Sequence, residues 1–97
     1  MRLTESEKMI IKKAAQKIFG PEVRIFLFGS RVNDYRKGGD IDLYIETENH
    51  ALLQDNLSLL SNLKLRLGDQ KIDVVVKAPN KNYQKIFHIA RQTGIEL

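Results

Sequence analysis

Residues 23–28 read Val-Arg-Ile-Phe-Leu-Phe and run directly into Gly29-Ser30. Such a short β-branched and aromatic run predicts a strand, and its apolar side chains at consecutive positions need cover on both faces. With the element order helix, strand, strand, helix, strand, helix, that requirement points to a layered α/β arrangement, a small sheet with helices packed against it. The 97 residues, 42% hydrophobic and 29% charged with two prolines, have material for one such core and no bias towards disorder. A single domain over 1–97 is the expectation.

The flanking segments supply the cover. Thr4-Glu5-Ser6-Glu7 has the pattern of a capping box, and Ile10, Ile11, Ala14, Ile18 and Phe19 recur at helical spacing until Gly20-Pro21 stops the helix. Leu52, Leu53, Leu57, Leu60, Leu63 and Leu67 form a second helical stripe that closes at Gly68. A third helix is predicted after Pro79-Asn80, with Tyr83, Ile86, Phe87 and Ala90 on its apolar side and Thr93-Gly94 at its end. Between these lie two more strands. Ile41, Leu43 and Ile45 alternate with Asp42, Tyr44 and Glu46, and Ile72 to Val76 sits in Lys-Ile-Asp-Val-Val-Val-Lys. Three strands are therefore expected. Residues 31–39 read either as a short helical turn or as a loop, and Ile95-Glu96-Leu97 as an apolar tail.

Composition removes several classes of chemistry. No cysteine is present, which excludes disulfides, thiolate metal sites and Cys nucleophiles. No apolar run reaches the length of a membrane span and charges begin at Arg2, so a soluble, cytoplasmic protein without a membrane partner is expected. The net charge of +4 is diffuse, with no basic run and no aromatics interleaved with arginine, so nucleic acid is not an expected partner.

Three acids and one turn carry the candidate chemistry. Asp40 and Asp42 stand two apart at a strand start, on one face, with Cα atoms about 6.6 Å apart. Such a pair repels itself unless a cation intervenes, and Mg²⁺ is commonly held by one or two carboxylates together with substrate phosphates. Asp73 lies within the third strand, where an ionised group needs a partner if it is buried. If that strand lies beside the second, Asp73 joins Asp40 and Asp42 at a metal centre and can deprotonate or orient an attacking hydroxyl. Lys71, or another basic residue across the sheet, is the alternative partner for Asp73, through an ion pair. Gly29 permits close approach of the backbone to a ligand and Ser30 can bind phosphate oxygens, although Ser30 is equally suited to cap the next turn.

Leu27-Phe-Gly-Ser-Arg31, Gly39-Asp-Ile-Asp-Leu43 and Lys71-Ile-Asp-Val-Val75 together resemble the nucleotidyltransferase fold of the DNA polymerase β superfamily, and within it the minimal nucleotidyltransferases known as MNT antitoxins. The resemblance implies a small mixed sheet packed against helices. It implies that Gly29, Ser30 and Arg31 bind the triphosphate of ATP and that Asp40, Asp42 and Asp73 are catalytic and hold Mg²⁺. The chain also stops where larger relatives add an acceptor-binding domain. The implied acceptor is then another protein or a small molecule, and the resemblance points to a small helical HEPN-domain toxin neutralised by transfer of AMP from ATP to a tyrosine. The alternative is a binding module that neutralises its partner by occlusion, without catalysis.

Overall fold

The computed structural model describes residues 3–32, 40–68 and 70–97. In chain order the elements are α1 (Glu5–Phe19), β1 (Arg24–Phe28), a 3₁₀ turn (Gly29–Val32), β2 (Ile41–Glu46), α2 (Leu53–Leu67), β3 (Ile72–Lys77), α3 (Lys85–Thr93) and β4 (Ile95–Glu96). α1 begins with the reciprocal bonds expected of Thr4 and Glu7, at 3.0 and 2.9 Å. Asp55 accepts the Leu52 N–H at 2.8 Å and satisfies one of the free donors at the start of α2.

The strands form one sheet in the order β3-β2-β1-β4. β2 is antiparallel to β1 and parallel to β3, while β4 is antiparallel to β1. The sheet is thus mixed, as the resemblance implies, with four strands where three were expected. The additional strand is the presumed tail. Ile95 pairs with Leu27 and Glu96 with Phe26, and Glu96 receives two hydrogen bonds from Arg24 at 2.8 and 2.9 Å. α3 also begins later than its spacing suggests. Tyr83 meets the Phe87 ring edge-on at 6.1 Å, but from the segment before the helix.

Both faces of β1 are covered, as its composition requires. On one side α1 and α2 close over Ile25, Leu27, Ile41, Leu43, Ile45 and Ile72. Ile41, Leu43 and Ile45 are fully buried there, so truncating any one to alanine is worth about 2–5 kcal/mol. On the other side α3 lays Phe87 and Ala90 against Phe26 and Tyr44. The ring centroids of Tyr44 stand 5.6 Å from Phe26 and 5.8 Å from Phe87.

One end of this smaller core is closed by charge. The buried Tyr44 hydroxyl donates to Glu46 at 2.8 Å, and Arg91 of α3 donates to both Glu46 oxygens at 2.7 Å. The Arg91 and Arg24 guanidinium carbons lie 5.0 and 5.4 Å from the centre of the Phe26 ring, within cation–π range. Burial pushes the Glu46 carboxyl up, but the bonds from Arg91 and Tyr44 outweigh it and hold the group below the ordinary 4.5. Folded chains therefore bind fewer protons than unfolded ones near that pH, so this stabilisation is complete above 4.5 and fades as acid protonates Glu46. Glu46→Gln is expected to lower stability at neutral pH by about 1 kcal/mol, a Tm shift of about 4–8 °C. In thermal melts the gap to the unaltered chain should narrow as the pH falls below 4.5 and Glu46 takes up its proton.

Candidate active site

The register sorts one face of the sheet into three rows. Phe28, Asp42 and Asp73 lie side by side, then Phe26, Tyr44 and Val75, then Arg24, Glu46 and Lys77. α3 covers the middle row with Phe87, and Arg91 binds the third. The first row keeps its carboxylates partly or wholly in solvent: Asp42 is half-buried and Asp73 exposed. Its two carboxylates leave the same face from neighbouring strands about 4.8 Å apart.

This juxtaposition is the one that sequence made conditional on the third strand lying beside the second. Asp73 is not buried, so the need for a partner that burial would impose does not arise. β3 is an end strand of the sheet, so a residue in its middle has a neighbouring strand on one side only. Nor is Lys71 the partner of Asp73. The pairing of Ile41 with Ile72 aligns the residues before them, and Lys71 Nζ stands 3.5 Å from Asp40 Oδ2. Lys71, which the sequence offers only as an alternative partner for Asp73, is drawn to Asp40 instead. The repeated spacing of Asp40 from Ile41 and of Lys71 from Ile72 is the signal that a parallel register converts into contact. Exposed pairs of this kind are typically worth about 0–1 kcal/mol, so Asp40 is not locked in place.

Gly29 brings the backbone onto the same row. Its φ is +77°, a conformation that costs an L-residue strain, and a Cβ built there would overlap Asp42 Oδ2 and lie 3.2 Å from Asp42 Cγ. The turn after β1 therefore presses directly on the carboxylate, leaving a backbone cradle beside an acid. Ser30 and Arg31 lie in this turn, but their side chains are outside the described residues, as are Tyr35, Arg36 and Lys37 of the following segment.

Electrostatically the row is unfinished. Burial, then the charges of Asp73 and Asp40, hold Asp42 above its ordinary value, and Lys71 offsets this only in part. Among the described residues no three His, Cys, Asp or Glu groups stand close enough to grip one ion as they are placed. The donor chemistry nevertheless suits a hard divalent cation: Asp42 and Asp73 offer carboxylate oxygens on one face, with Asp40 two residues before Asp42, just ahead of β2. A cleft of about 410 Å³ at the opposite end of the sheet, between Glu22, Arg24, Glu46, Glu48 and Lys77, contains none of these acids. Its Arg24 and Glu46 already bind Glu96 and Arg91.

The family model of the nucleotidyltransferase domain matches residues 8–92, an interval that runs from within α1 to within the last turn of α3 and holds the whole acid row. The chain belongs to this family. Nucleotidyl transfer is accordingly the reaction class of this nucleotidyltransferase domain, and transferase its enzyme class. No curated protein matches the chain closely enough to add a relative's substrate. No helix among the described residues is long and apolar enough to cross a membrane.

Two substitutions in the nucleotidyltransferase site should act on stability in opposite directions. With divalent cations removed by chelator, Asp42→Asn relieves repulsion within the row and is expected to raise Tm by a few degrees. Gly29→Ala strains the backbone by about 1–2 kcal/mol and displaces Asp42, so its Tm is expected to fall. Differential scanning fluorimetry of the three proteins checks both signs.

Proposed function

We propose that this chain is a minimal nucleotidyltransferase of the MNT antitoxin type, which moves AMP from ATP to a hydroxyl of a cytoplasmic partner, a tyrosine of a small helical HEPN-domain toxin. The observation that carries the reading is the in-register pair of Asp42 and Asp73 with the Gly29 backbone lying against Asp42. The motifs on which the resemblance rests support its finer parts.

In this reading Gly29 and Ser30 present the turn after β1 to the triphosphate, and Arg31 adds a cationic donor to it. Asp40, Asp42 and Asp73 hold the cation. When bound there, Mg²⁺ would neutralise charge on the α-phosphate and favour the deprotonated acceptor hydroxyl. Asp73, exposed on the open face of the acid row, is the acid that an incoming acceptor can reach, and it orients the hydroxyl and takes its proton. The hydroxyl oxygen then bonds to the α-phosphorus as pyrophosphate leaves. Catalysis is chiefly positioning and charge stabilisation, which accounts for a site with so few groups.

A second reading, neutralisation by occlusion, is favoured by Leu53, Leu57 and Leu65, which are 69, 54 and 88% exposed on α2. One experiment separates the two. The purified chain is incubated with Mg²⁺ and α-labelled ATP, with and without the product of the neighbouring gene, beside Asp42→Asn. Catalysis is expected to label the partner and to fall by at least about 100-fold in the variant. A variant that still protects against the partner without labelling it would instead establish occlusion.

A further inference from the structure

β3 has a bare edge. Its ladder with β2 opens where the Ile41 N–H donates to the Lys71 carbonyl at 3.0 Å and closes where the Thr47 N–H donates to the Lys77 carbonyl, also at 3.0 Å. A parallel ladder uses alternate residues, so residues 71, 73, 75 and 77 turn their backbone groups towards β2. Ile72, Val74 and Val76 turn theirs outward, and among the described residues none of those groups has a backbone partner. Beside this edge runs a groove of about 220 Å³, with Val74, Val75 and Val76 along it and Leu52, Leu53 and Asn56 on one wall. Leu52 and Leu53 are 60 and 69% exposed, and Asn56 Oδ1 is buried without a hydrogen-bond partner. Three consecutive valines without a proline form an edge that folded proteins seldom leave unpaired.

Charge selects the strand that fits. If a second β3 lies antiparallel across a twofold axis, its outward residues must meet Ile72, Val74 and Val76, which leaves few registers. With Asp73 on the axis, that acid opposes its own copy. With Val74 on the axis, Lys71 opposes Lys77 twice. With Val75 on the axis, the ladder is as long as with Val74, and Asp73 opposes Lys77 twice. Opposite charges across an antiparallel pair stabilise it and like charges destabilise it, so the third register is preferred.

We propose that two copies of this chain associate through β3, antiparallel with Val75 on the twofold axis, joining two four-stranded sheets into one. Val74 of each copy exchanges backbone hydrogen bonds with Val76 of the other. Lys77 of each copy stands beside Asp73 of the other, so each acid row receives a cationic group from its partner. The pairing stands whether or not the acceptor is a protein.

The absence of cysteine from the chain makes the register testable. Across the axis the Val75 pair is not hydrogen-bonded and its Cα atoms are about 4.5 Å apart, within disulfide reach. Val75→Cys is expected to give a covalent dimer under mild oxidation, and Val74→Cys little. Sedimentation of the unaltered chain should show a dimer that dissociates on dilution, and Lys77→Gln should weaken it about fivefold to tenfold. Amide exchange at Val74 and Val76 in the unaltered chain should slow as its concentration rises, a readout that needs no variant to fold. Cross-linking at residue 74 in preference to 75 overturns the register. A monomer at every concentration, with rapid exchange at Val74 and Val76, overturns the pairing and leaves the edge to another occupant.

Discussion

β2 is bound on both sides, and its register is the constraint on which the remainder depends. Its odd-numbered residues, Ile41, Leu43 and Ile45, have no exposed surface and form the floor on which α1 and α2 pack. Its even-numbered residues are Asp42, Tyr44 and Glu46, and a slip of one position would drive two carboxylates into that floor. The large core thus fixes the register, and the register places the acids. No interaction between the acids themselves could do so, because they repel.

The opposite face shows how the same strand carries acids at both ends with different results. Glu46 has Tyr44 and Arg91 as donors and closes the smaller core. Asp42 has two other acids as neighbours and a glycine backbone against it, with Lys71 drawn to Asp40. One end is electrostatically complete and serves the fold. The other is left in deficit, which costs the free protein stability and suits it to bind a cation and a phosphate chain.

Much of this was legible in the sequence because burial dictates pattern. The run at 23–28, the alternation at 41–46 and the leucine stripe each correspond to an element, and the Thr4–Glu7 cap is present as the residues imply. Two features of the elements were misread because they belong to tertiary structure. Two residues, Ile95 and Glu96, are too few to show a period, and they become a strand only because β1 offers an edge and Arg24 a partner. Tyr83 matches helical spacing yet packs on Phe87 from outside the helix. For the site, residue types and order suggested which acids belong together, but strand order decided that Asp73 is exposed and that Lys71 meets Asp40.

The place of β4 bears on the order of folding. Arg24 and Glu96 are 72 residues apart in sequence, whereas the β1–β2 pair joins neighbouring segments. Closing so long a loop for a ladder of two residues returns little enthalpy for the chain entropy lost, so β4 docks after the other three strands have assembled. By the same reasoning it is the first strand to detach in native-state fluctuations. The sheet therefore frays at β4, while the acids on β2 and β3, with β1 between them and that edge, stay assembled.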